Sequence, residues 1–152
     1  MTYRCGPRMR IALGLTTAVL AIAPPVLAQS SKTTFEKYKL MGTFAWDCSK
    51  PASKNNLYYV NRELDAARVQ HDQMSGPTTR DAATIIDTVT ESKPNEIALT
   101  GTRDGKTMTS LWRIEQDRVL RLEMSVSGEK WIAGGRYSNN GNEVPALRRC
   151  GG

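Results

Sequence analysis

Histidine is almost missing from this chain: His71 is the single one in 152 residues. A lone imidazole does catalysis only when a motif sets a nucleophile or acid beside it. The chain has no G-x-S-x-G, no H-E-x-x-H, no glycine-rich phosphate loop leading into a helix, and no cysteine in a nucleophile setting. Hydrolase, metalloenzyme and nucleotide-dependent chemistry all lose their usual carriers. The expectation is a protein that is not an enzyme, with no catalytic residue, no cofactor and no metal. Cysteine is scarce too: there are three, none in a C-x-x-C spacing and none near a histidine, which argues against a redox pair or a zinc site. No apolar run reaches the roughly 20 residues that span a bilayer. Charge does not lean far to one side: 21 Lys and Arg against 15 Asp and Glu, alternating along the chain. That pattern gives mixed solvated faces and not the clustered basic stripe of a nucleic-acid binder. Internal repeats and low-complexity tracts are lacking as well.

What is present begins with export. Residues 1–28 combine Arg4, Arg8 and Arg10, an apolar run over 11–23 and the small-residue box Val26-Leu27-Ala28, the three parts of a secretory signal peptide. Pro24-Pro25 ends the run. Cys5 lies in the charged part and not behind the cleavage box, so no lipid anchor is expected. The expected product is soluble, periplasmic or secreted, without a stable membrane anchor. Cleavage before Gln29 removes those three arginines and no acid, lowering the formal charge from +6 to +3. Residues 29–152 then form one domain. Two cysteines survive, Cys48 and Cys150, and an oxidising compartment predicts a disulfide between them.

Residues 106–138 read as three successive strands in an antiparallel meander, since their connections are too short for a parallel return. Met108, Ser110, Trp112 and Ile114 share one face. Leu120, Leu122, Met124 and Val126 alternate with Arg121, Glu123 and Ser125, which predicts the four apolar side chains inside. Trp131, Ala133, Gly135 and Tyr137 share the face of the last strand, with Gly134-Gly135 as a bend or bulge within it. Upstream, residues 29–34 read as a polar, mobile tail. Thr33-x-x-Glu36 is a capping box for a short helix to Leu40, with Phe35 and Tyr38 on one face as a plug for a barrel end. Residues 42–48 put Gly42, Phe44, Trp46 and Cys48 inside. The next strands put Leu57, Tyr59 and Asn61, then Ala67, Val69 and His71, on common faces. Over residues 81–91 both faces are mixed and the register stays open. Ile97, Leu99 and Gly101 precede the Asp104-Gly105 hairpin turn. From Gly42 the strands number about eight. The C-terminal VPALRRC segment must return to the first of them if Cys48 and Cys150 pair. An all-β, eight-stranded antiparallel up-and-down barrel with a short N-terminal helix meets these constraints and leaves no open sheet edge.

With a short helix, Gly42-Thr43-Phe44 where the family has Gly-x-Trp, hairpin-linked strands and a terminal disulfide, the chain resembles the lipocalin-like, or calycin, group of small barrels. Phe44 stands in place of the family's tryptophan, with Trp46 two residues on. The resemblance implies that Arg148 or Arg149 stacks on the strand-one aromatic. It also implies a barrel mouth that binds a small apolar ligand.

An eight-stranded barrel either fills with side chains or encloses one small guest. The candidate ligand-binding residues are Met108, Ser110, Trp112, Met124 and Tyr137, with Ser110 or Asp87 as the polar anchor. Two other readings compete with an apolar-ligand binder. One is a protease inhibitor that uses residues 29–34 as its tail, and the other is an envelope scaffold or interaction protein. An internal cavity favours the binder, a filled barrel with a projecting tail the inhibitor, and a filled barrel with an exposed apolar patch the scaffold.

Overall fold

The computed structural model describes residues 29–151; the signal-peptide reading of residues 1–28 lies outside them. The chain runs β1 (Gln29–Ser30), α1 (Ser31–Lys37), β2 (Gly42–Ala45), β3 (Tyr58–Glu63), β4 (Val69–Met74), β5 (Arg80–Lys93), β6 (Glu96–Arg103), β7 (Lys106–Glu115), β8 (Arg118–Val126), β9 (Glu129–Ala133), β10 (Arg136–Tyr137) and β11 (Leu147–Cys150). Eight of these, β2 to β8 and β11, pair antiparallel in a closed ring, as the alternation predicts. β11 makes the closure: it pairs with β2 through Arg149 opposite Phe44 and with β8 through Leu147 opposite Val119. Cys48 and Cys150 are joined by a disulfide beside this seam, with their Cα atoms 5.3 Å apart.

The strand over 129–138 is not the one that closes the barrel. Gly134 and Gly135, at φ 57° and 74°, form a tight turn in left-handed backbone that residues with a Cβ rarely adopt, so the segment folds into the β9–β10 hairpin. That hairpin pairs with the far half of β8, on the edge whose near half is taken by β11. It forms a wall above the seam.

Residues 29–34 form no free tail. Ser30 caps α1, its hydroxyl accepting from Thr33 N–H at 3.2 Å, so Thr33 is the third residue of the helix and not its cap. β1 pairs with Val89 and Thr88 of β5. Ser31 is buried; its hydroxyl contacts the Ile86 carbonyl at 2.7 Å and the Ala67 carbonyl at 3.1 Å and accepts from Val69 N–H at 3.1 Å. A small hydroxyl at this point can satisfy backbone groups of both β4 and β5, which is why a polar start is ordered. Phe35 then enters the barrel end, 5.9 Å from Trp112 ring to ring, and is wholly buried. Burying such a side chain contributes about 1.5–3 kcal/mol.

Two β-bulges decide which side chains face inward. In β5 the pairing with β6 shifts between Ile86 and Thr88, leaving Asp87 as the extra residue. Ala82, Thr84 and Ile86 point in before the bulge and Val89 after it, which is why neither parity fits the whole strand. Asp87 is exposed, 3.7 Å from Arg68, and is no anchor for an internal ligand. In β8 the pairing with β7 shifts between Leu111 and Trp112, which pair with Glu123 and Arg121, and this leaves Leu122 extra. Val119 and Arg121 therefore face in below the bulge and Val126 above it, while Leu120 and Leu122 are only half-buried. The expected apolar stripe of β8 is interrupted by a buried arginine.

Arg149 also departs from expectation. Its guanidinium donates to the Lys39 carbonyl at 3.2 Å, across the barrel end. Among the described residues the cation–π pairs are Lys37 with Tyr38, Arg103 with Trp131 and Arg121 with Tyr59, and none involves Arg148 or Arg149.

Candidate functional site

Phe35, Val69, Ile86, Val89, Ile97 and Leu99 pack the barrel on the α1 side. On the side of the β9–β10 hairpin, the filling gives way to a cavity of about 180 Å³. All five residues singled out in the sequence line it: Met108, Ser110 and Trp112 from β7, Met124 from β8 and Tyr137 from β10. Leu57, Ile132 and Trp131 complete its apolar surface. β9 bulges here, since Met124 pairs with Ile132 but Ser125 with Lys130, leaving Trp131 as the extra residue, and this brings the consecutive Trp131 and Ile132 to the same cavity. Trp131 stands at its edge, 40% exposed.

Ser110 is less free than an anchor should be. Its hydroxyl donates to the Glu123 carbonyl at 2.7 Å and accepts from Trp112 Nε1 at 2.9 Å. This fixes the indole plane and uses the serine's one proton.

The polar side of the cavity comes mostly from residues that carry no sequence motif. Tyr59, His71, Gln73, Thr84, Arg103 and Arg121 line it, and no carboxylate does. Arg103 and Arg121 are each 8% exposed. Arg103 donates to Gln73 Oε1 at 2.9 Å and Thr84 Oγ1 at 3.3 Å, and its guanidinium lies 5.7 Å from the centre of the Trp131 ring. Burial pulls its pKa below the ordinary arginine value, but a guanidinium keeps its charge in proteins. Arg121 donates through Nη1 to the Tyr59 hydroxyl at 3.0 Å and lies 4.7 Å from that ring centre. Its Nε and Nη2 are buried and find no hydrogen-bond partner in the protein. Neither arginine has an acidic partner within ion-pair distance among the described residues. Taking such an ion out of water costs several kcal/mol, and a cation–π contact returns only about 0.5–2 kcal/mol. The free protein carries this imbalance in its interior.

His71 reports on it. Its ring stacks on Tyr59 at 5.2 Å and tilts against Trp112 at 5.4 Å. Asn61 donates to the Leu40 carbonyl at 2.7 Å, which leaves its amide oxygen to accept from His71 Nδ1 at 2.5 Å. Burial, with the Arg121 and Arg103 charges adding to it, lowers the imidazole pKa to about 3. The folded state therefore stays unprotonated at pH values where an unfolded histidine, near 6.5, takes up a proton. Stability contributed this way is present above pH 6.5 and is lost as pH falls towards the folded value. Between pH 7.5 and 5 the expected loss is about 2 kcal/mol. Urea unfolding across that range, with His71→Gln as the comparison, checks it: the slope disappears in the variant if His71 is its source, and a wild-type protein equally stable at both pH values contradicts the buried neutral imidazole.

Compared with known proteins, this chain matches no protein-family profile, no curated protein and no solved structure.

Proposed function

We propose that this chain is an exported, non-enzymatic barrel that binds one small, mostly apolar molecule in the cavity beside the β9–β10 hairpin. The carrying observation is the cavity itself, set between Met108, Trp112, Met124, Trp131 and Ile132. Its size bounds the guest: at about 180 Å³ it exceeds an engineered cavity of about 150 Å³ that takes benzene. It falls short of the roughly 300 Å³ at which drug-sized pockets begin. One ring or a short chain fits. Methionine and tryptophan make an adaptable wall for such a guest.

The Cys48–Cys150 disulfide supports an oxidising, extracytoplasmic setting and hence the periplasmic or secreted reading. A histidine with its pKa at about 3 and its Nδ1 tied to Asn61 is poorly suited to act as a general base near neutral pH, which favours binding over turnover. The inhibitor alternative loses its support because residues 29–34 are held in β1 and α1.

The test is a fluorescence titration. Two of the three tryptophans, Trp112 and Trp131, line the cavity, so benzyl alcohol or 1-octanol should give a saturable change in intrinsic emission. No response to either alcohol or to their acid counterparts, from a folded and disulfide-bonded protein, would sink the binding reading.

A further inference from the structure

We infer that the guest of this cavity carries a carboxylate, received by the Nε–H and Nη2–H edge of Arg121, with Arg103 supplying a second positive charge to the same space. This rests on the binding reading above and adds the chemical class of the ligand.

Two atoms of the Arg121 guanidinium are left over. Arg121 makes its one well-formed hydrogen bond through Nη1, to the Tyr59 hydroxyl, with the Tyr137 phenol also beside the guanidinium. Its unsatisfied atoms, Nε and Nη2, are the pair that points two parallel N–H bonds along one edge of the guanidinium. That fork matches the two oxygens of a carboxylate. This protein turns the same edge to a carboxylate elsewhere: Arg113 donates to Glu96 through Nε at 3.0 Å and Nη2 at 2.8 Å, both to the one oxygen Oε1. The difference is that Glu96 comes from the chain itself, on β6, whereas the lining of the cavity holds no acid.

Charge leads to the same conclusion. The lining contributes two guanidiniums and an imidazole that stays neutral, so an anion entering it meets uncompensated positive charge with little water to screen it. Arg103 has both Nη atoms engaged by Gln73 and Thr84, and so offers field more than hydrogen bonds. One free fork with a second charge nearby suits a monocarboxylate better than a phosphate, whose three oxygens would each need donors. The apolar wall of Met108, Met124 and Ile132 then takes the rest of the molecule. A short-chain or single-ring organic acid fits both halves.

Calorimetric titration of the disulfide-bonded protein with octanoate and benzoate, against 1-octanol, benzyl alcohol and inorganic phosphate, tests this. Each acid should bind at least about tenfold more tightly than its alcohol, since hydrogen bonds to a charged group are at stake. The acid-to-alcohol preference should collapse to near unity in Arg121→Met. Equal affinity for acid and alcohol in the wild-type protein overturns the carboxylate and leaves the binding reading standing. Tighter binding of phosphate than of either organic acid also overturns it, and no binding of any probe overturns both readings. A second readout needs no variant: His71 is the only histidine, so its ring signals in an NMR titration are unambiguous. At pH 7, where the acid is ionised, saturating octanoate should shift the His71 ring signals well beyond the shift that 1-octanol gives, because the carboxylate enters beside the imidazole. Ring signals unmoved by saturating octanoate at that pH overturn the proposal.

Discussion

Gly101→Val should leave the barrel unable to close, with a loss of more than about 4 kcal/mol, in the range reserved for a specific steric conflict. Gly101 lies on β6 opposite Ile86, at the point where β5 bulges around Asp87. A Cβ placed there would sit 2.0 Å from the Ile85 carbonyl oxygen and 3.1 Å from Ile86 Cα. These are backbone atoms of a paired strand and cannot swing aside as the end of a side chain can. Relief would require parting β5 from β6, and with it the ladder that presents Thr84 and Arg103 to the cavity. Circular dichroism and urea unfolding should show a protein that is insoluble or lacks a cooperative transition. A native-like Gly101→Val with under about 1 kcal/mol of destabilisation would contradict the close approach.

Removing the disulfide should have the next largest effect. Cys48 and Cys150 are 102 residues apart, so the bridge restricts nearly the whole unfolded domain. The chain-entropy estimate for such a loop is about 4.7 kcal/mol, and measured losses run about 2–5 kcal/mol. The local structure gives the bond a further task. β11 has four residues, and only Leu147 and Arg148 pair with β8, so the strand that closes the ring has little ladder of its own. Cys48→Ser with Cys150→Ser should lower the urea midpoint sharply, and amide exchange should accelerate first along β11. An unchanged midpoint, or exchange that accelerates evenly over all strands, would contradict this account of the seam.

The outline of the barrel was legible because most strands keep strict alternation. Leu57, Tyr59 and Asn61 share a face, Val69 and His71 share another, and Met108, Ser110 and Trp112 lie inside as period two requires. Of the five predicted lining residues, Met108, Ser110 and Trp112 reach the cavity for the same reason, whereas Met124 lies beyond the β8 bulge and Tyr137 arrives on the β9–β10 hairpin. What escaped notice lies at the bulges. Asp87 in β5 and Leu122 in β8 each insert one residue, and a period-two reading that crosses such a point assigns every later side chain to the wrong face. Arg121 was hidden in this way: counted from Met124 and Val126 it falls outside, and counted from Val119 it falls inside. Arg103 had a signal, since it continues the series Ile97, Leu99, Gly101. A charged residue after three apolar or small ones reads as the end of a face unless its burial is considered. The Gly134-Gly135 turn was visible in composition, but two glycines allow a bend, a bulge or a hairpin, and only their positive φ separates the three.

The central claim is that the interior of the barrel beside the β9–β10 hairpin is a binding site and not merely imperfect packing. Magnetisation transfer between a bound guest and the methyl groups of the cavity measures this most directly. Met108 and Met124 line the cavity from adjacent strands, while Met41 and Met74 belong to other surroundings and serve as internal controls. With octanoate at saturation, guest protons should show intermolecular contacts to the Met108 and Met124 methyls and to the Trp112 and Trp131 rings, and none to Met41 or Met74. Guest contacts confined to Met41 or Met74, or no contact to Met108 and Met124 at concentrations that saturate the protein, would contradict the account.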